Sequence, residues 1–136
     1  MPTNVARAVE AARALGDGER LAHAALASAT LGGFISRNGV VDEGLIVLYE
    51  EACAALGDAD SLLRARLLGQ LAVELTYTLH PRERRDALSR EAVAIARRLG
   101  DRTGLAQVLT LRLMAVNDPF TLPERLELAA ELAGLA

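Results

Sequence analysis

The sequence predicts an all-α fold: about seven helices, nested as an array of antiparallel hairpins in one domain spanning residues 1–136. Three observations carry this. Hydrophobic residues make up 51% of the chain but aromatics only 3%, with no Trp, so the core must be built from Ala, Leu and Val, and Ala and Leu are strong helix formers. Apolar residues recur at helical spacing, and no strand-like alternation occurs anywhere. One phrase is written three times: "EAARALGDGERLAHAAL" at 10–26, "EACAALGDADSLLRARLL" at 51–68 and "REAVAIARRLGDRTGLAQVL" at 90–109.

The clearest helix is 81–99. Leu88, Ala92, Ile95, Ala96 and Leu99 fall on one side, at i, i+4, i+7, i+8 and i+11. Asp86, Arg90 and Arg97 take the other side, where Asp86 and Arg90 form a favourable i,i+4 pair. Pro81 suits the first turn, where a missing N–H costs nothing. Gly100 supplies the left-handed residue that ends the helix, and Asp101 can cap the next one with its carboxylate.

Leu-Gly-Asp is therefore punctuation: a last buried contact, a stop and a start. It recurs at Leu15-Gly16-Asp17, Leu56-Gly57-Asp58 and Leu99-Gly100-Asp101, spacings of 41 and 43 residues. That distance is one helical hairpin with its connections. The same logic places helices at 4–15, 18–33, 42–56, 60–78, 81–99, 102–116 and 122–134. Asn38-Gly39 marks the turn before the third and "NDPFT" the turn before the last. "TLPE" reads as a capping box, with Thr121 as N-cap and Glu124 reaching back.

Each Leu-Gly-Asp joins the second helix of one unit to the first helix of the next. The chain thus opens and closes on a second helix, as a piece or a relative of a longer array would. Terminal repeats normally carry a polar outer face, yet the last segment offers Leu128, Leu132 and Leu135. Pairing of such ends in a homodimer or a domain swap is the expectation.

"LLRARLLGQLA" at 62–72 has a Leu-Gly-x-x-small pattern in Leu68, Gly69 and Ala72, and similar wording appears at Leu31-Gly32. This resembles the first helix of a tetratricopeptide repeat. The period is longer than the ~34 residues of the standard unit, and the usual Trp is absent. "RARLLGQLAVELTYT", "ERRDALSREAVAIARRLGD" and "PERLELAAEL" are closer to the long-period repeats of large actinobacterial transcriptional regulators, which carry an ATPase module before the repeats. The resemblance implies a right-handed, tetratricopeptide-like α-solenoid. It also implies a non-catalytic interaction or scaffold role in signalling, with effector sensing as the alternative.

Composition narrows the function further. A formal charge of -3 gives no attraction to nucleic acid. All fifteen basic residues are Arg, a bias of GC-rich coding rather than of one site, and without Lys a Walker phosphate loop is impossible. No run approaches the ~18 apolar residues of a membrane span, and no secretory signal opens the chain. The single cysteine, Cys53, excludes an internal disulfide and fits the cytoplasm.

Catalysis finds little footing in the sequence. Cys53 sits mid-helix among small apolar residues, far in sequence from His23 and His80, and no spacing marks a metal site. Glu50 and Glu51 diverge by about 100° on a helix and cannot converge on one atom. Neither a catalytic nor a cofactor or metal site is expected. The remaining candidates are Arg82, Arg84 and Arg85, a basic run able to grip an acidic partner segment, with Tyr77 and His80 near the same turn. A protein partner or a neighbouring domain is the expected ligand of these five residues.

Overall fold

The computed structural model describes residues 4–32 and 43–135, the side chains of 4, 5, 28–32 and 77 excepted. Among the described residues there are seven α-helices and no strand. They are α1 (Asn4–Leu15), α2 (Gly18–Gly32), α3 (Glu43–Leu56), α4 (Leu62–Glu74), α5 (Arg82–Leu99), α6 (Arg102–Ala115) and α7 (Leu122–Gly134). Single 3₁₀ turns, Leu75–Tyr77 and Pro119–Thr121, precede α5 and α7. The Asn38-Gly39 turn lies outside the described residues.

The repeated phrase does what its chemistry demands. Gly16, Gly57 and Gly100 have φ of 63°, 84° and 68°, and they are the only described residues in the left-handed region. Two of the three aspartates cap the following helix. Asp17 accepts from the Arg20 N–H at 3.1 Å, and Asp101 accepts from the Gly104 N–H at 2.7 Å. Asp58 does not cap: the chain runs three residues further and Ser61 Oγ accepts from the Arg64 N–H at 3.0 Å. The α4 start accordingly falls at Leu62, later than the spacing predicts, and its end falls earlier. There Thr78 Oγ1 donates to the Leu75 carbonyl at 2.8 Å, a side-chain bond that competes with helix continuation.

The leucines of the phrase correct the sequence reading. Leu15 is 65% exposed and Leu99 42%; only Leu56 packs against the core. The capping box is also absent. Thr121 Oγ1 donates back to the Val116 and Asp118 carbonyls, closing the turn behind it, and Glu124 turns inward to an arginine.

Every helix packs on its successor, and α2 packs on α4 and α4 on α6 as well. Glycines set the closest of these contacts. A Cβ on Gly69 would meet Leu111 Cδ1 at 2.9 Å, and one on Gly18 would meet the Ala55 carbonyl oxygen at 2.6 Å. Gly104 is pressed against the Leu62 side chain in the same way. Two large clusters make the core: one between α1 and α4 around Ala25, Tyr49 and Leu67, the other between α4 and α7 around Ile95, Val108 and Leu109.

The odd-numbered helices have no comparable packing on one another. Arginine–carboxylate pairs bridge them instead. Arg13 of α1 grips Glu51 of α3 through Nη2 at 2.7 Å and Nε at 2.9 Å. Arg84 of α5 meets Glu50 of α3 at 2.6 Å, and Arg97 of α5 meets Glu131 of α7 at 2.7 Å. Arg98 holds Asp60, in the α3–α4 connection, at 2.7 Å and 3.0 Å. Partners lie 34–38 residues apart, a shorter step than the 41 and 43 residues between copies of the apolar phrase.

Candidate functional site

The basic run of α5 is spread over three different tasks. Arg82 Nε donates to Asp118 Oδ2 at 2.7 Å, tying the start of α5 to the α6–α7 connection. Arg84 holds Glu50 and lies 3.2 Å from His80 Nδ1. Arg85 turns inward, its Nε donating to the Ala115 carbonyl at 2.8 Å, where it satisfies an orphan group at the end of α6. Among the described side chains of the five predicted residues, a hydrogen bond joins Arg84 and His80. Tyr77 closes the 3₁₀ turn with its backbone, and its side chain lies outside the described set. Two apolar side chains stand exposed on the same connections, Leu79 and Phe120.

The adjacent glutamates part company, as the helical geometry requires: Glu50 reaches α5 and Glu51 reaches α1. Cys53 is half-buried between the two core clusters, and burial pushes its thiol up from the ordinary value, away from the reactive thiolate. His23 and His80 are both exposed. Among the described residues, no group of three His, Cys, Asp or Glu could hold a metal ion.

The densest polar cluster went unread in the sequence. Arg112 is only 2% exposed. Its Nη1 donates to Ser89 Oγ at 2.8 Å and to the Asp86 carbonyl at 3.2 Å. Its Nη2 donates to Asp86 Oδ1 at 3.0 Å and to Glu124. Ser89 Oγ in turn donates to the Arg85 carbonyl at 2.8 Å. Desolvation pulls the Asp86 carboxyl up, but the Arg112 and Arg90 guanidiniums outweigh it and hold the group below the usual carboxylate range. The cluster joins α5, α6 and α7, and its members bind one another. A signal was present in the sequence: Arg112 interrupts the apolar stripe Val108, Leu109, Ala115, Val116, and a buried guanidinium requires carboxylates.

A surface open to a ligand lies on the other side of α6 and α7. A groove of about 440 Å³ runs between them. Its α6 wall is Thr110, Leu113 and Met114, with Asn117 just beyond; its α7 wall is Leu122, Arg125, Leu126 and Ala129. Leu122 and Leu126 are 51% and 63% exposed. Arg125 donates to Asn117 Oδ1 at 3.0 Å and to the Asp118 carbonyl at 3.1 Å, which ties its head to the groove end. The sequence reading gave the uncovered face to Leu128, Leu132 and Leu135. Those three face the core instead: Leu128 is buried and the other two pack against the same cluster. Two apolar stripes run along α7, and Glu124 and Glu131, drawn to Arg112 and Arg97, decide which one turns inward.

On α4, Gly69 meets Leu111 of α6, and Ala72 and Val73 cluster with Leu111, Met114 and Ala115. Forty-one residues further on, Thr110, Leu113 and Met114 line the α6 side of the groove; Thr110 is exposed, while Leu113 and Met114 are partly buried against the core. The fold and groove thus define a class, an all-α chain presenting an apolar trough. No family model matches the chain, and no curated protein or solved structure matches it.

Proposed function

We propose that the chain is a non-catalytic protein-interaction module that accepts a partner helix in the α6–α7 groove. One observation carries this: α6 and α7 leave between them an apolar groove lined by Leu113, Met114, Leu122 and Leu126, with the last two more than half exposed. An apolar groove between two helices fits an amphipathic helix, with apolar anchors at i, i+3, i+4 and i+7. In this reading the chain is a single right-handed, tetratricopeptide-like array of antiparallel hairpins. Direct packing of α2, α4 and α6 supports it, as does the bridging of α1, α3, α5 and α7 by ion pairs. A place in a bacterial signalling or transcriptional regulator in the cytoplasm rests on the sequence resemblance alone. The basic turn with His80, Arg82 and Arg84, flanked by exposed Leu79 and Phe120, is a secondary contact in the same proposal.

A second reading, effector sensing, draws on the groove's volume, which falls within the ~300–1,000 Å³ of small-molecule sites. Its polar groups are few: Thr110, Asn117 and an Arg125 already engaged. The helix reading therefore comes first.

A synthetic peptide of residues 102–116, an amphipathic helix of this chain, tests it by fluorescence anisotropy. Saturable binding to the intact chain, lost in Leu126→Glu, is expected. No binding at millimolar peptide would overturn the helix-acceptor reading.

A further inference from the structure

We infer that the chain assembles head to tail, α1 of one copy seated in the α6–α7 groove of the next. The inference rests on the groove accepting a helix and names which helix that is. Ala8, Ala11 and Leu15 are exposed on α1 at i, i+3 and i+7. At 100° per residue they stand about 140–160° round the helix from Arg13, the residue that reaches forward to Glu51 of α3. This stripe lies on the side of α1 away from α3, while Val9 and Ala12 face the core. At the other end, Leu122, Leu126 and Ala129 stand about 140–180° round α7 from Glu131, which reaches back to α5. Among the described residues, the array thus carries one exposed apolar stripe at each end.

The two faces differ in size in a complementary way. Inside the chain, helices meet where a small residue admits a large one: Gly69 against Leu111, Gly104 against Leu62. The ends hold the two halves of such a contact. Ala8 and Ala11 on α1 are small; Leu113, Met114, Leu122 and Leu126 in the groove are large. Like-to-like pairing wastes this. Two grooves face to face would oppose large with large. A heterologous contact, with α1 entering the groove, continues the packing the chain already uses.

The test is sedimentation velocity on the whole chain and on two exposed-site variants, Ala11→Glu and Leu126→Glu, each checked for helicity by circular dichroism. Wild type should grow beyond dimer with concentration, and each variant alone should be monomeric. Mixed in equal amounts, the two variants should form a single dimer, because each retains the face the other has lost. Should either variant lose helicity, Ala8→Glu or Leu122→Glu replaces it. A wild type that stays monomeric at millimolar concentration overturns the inference. So does an Ala11→Glu variant that dimerises as wild type does, or a mixture that stays monomeric. Peptide binding with a monomeric wild type would leave the helix-acceptor reading standing and remove only self-assembly; loss of both would remove both.

Discussion

Gly100 sits at φ 68° with open space where a side chain would go, so its requirement for glycine is purely conformational. A non-glycine residue there costs about 1–2 kcal/mol, partly offset by about 0.4–1 kcal/mol from a stiffer unfolded chain. Gly100→Ala should therefore lower the urea-derived stability by about 1 kcal/mol, and an unchanged value would mean that the residue is not held left-handed. Gly18→Ala makes the opposite case. Helix propensity favours alanine by about 1 kcal/mol, but the new methyl would sit 2.6 Å from a backbone oxygen that has no rotamer to escape into. Overpacking of that kind costs about 1–3 kcal/mol, so the substitution should destabilise. A gain in urea midpoint would show that α2 and α3 do not approach as described. Arg112 is the residue whose loss should matter most. Arg112→Met strands Asp86 and Glu124, and breaking a buried pair costs about 3–5 kcal/mol; here both carboxylates are about one-third exposed, which puts the result at the low end. Adding Asp86→Asn and Glu124→Gln should recover part of it, as a thermal-melt series would reveal.

At the scale of elements, α7 is the helix with the thinnest support. It packs extensively only on α6 and its own preceding turn. Beyond that packing it is held by Glu124, Glu131 and the Arg102 guanidinium, which donates to the Leu135 and Gly134 carbonyls at 3.1 and 3.2 Å. Amide exchange should be faster along α7 than along α4, whose apolar side chains are almost all buried; equal protection would contradict this packing. Helix boundaries were largely legible in the sequence, because they rest on local chemistry: glycine in the left-handed region at Gly16, Gly57 and Gly100, and an oxygen-bearing residue one step before the first turn. The failures also have a local cause. At 57–61 three oxygen-bearing residues compete, Asp58, Asp60 and Ser61; Arg98 takes Asp60 and Ser61 becomes the cap. Thr121 and Glu124 match a capping box in spacing, yet each has a better partner outside it.

Over the whole molecule, what could not be read was anything requiring two distant segments at once. The Arg112 cluster joins residues 26 and 12 positions apart, and the choice between the two leucine stripes of α7 depends on Arg97 and Arg112 being in place first. The groove was anticipated as uncovered apolar surface at the chain's end but assigned to the wrong stripe. The charged pairs have a collective consequence. Hydrogen bonds from Arg13, Arg98 and Arg82 hold Glu51, Asp60 and Asp118 below their ordinary values, and the guanidiniums about Asp86 do the same against desolvation. A carboxylate depressed in the folded state contributes stability above its unfolded pKa of ~4 and loses it as pH falls further. Tm should therefore hold near neutrality and drop below about pH 4; a Tm flat down to pH 2.5 would mean that these pairs add nothing.

The direct test of the packing itself is a nuclear Overhauser experiment on the methyl-labelled chain. If α6 seats directly on α4, cross-peaks must join the Leu111 methyls to the Gly69 Hα and the Leu62 methyls to the Gly104 Hα. Their absence, while contacts between successive helices remain visible, would contradict this packing and remove the support for the α6–α7 groove.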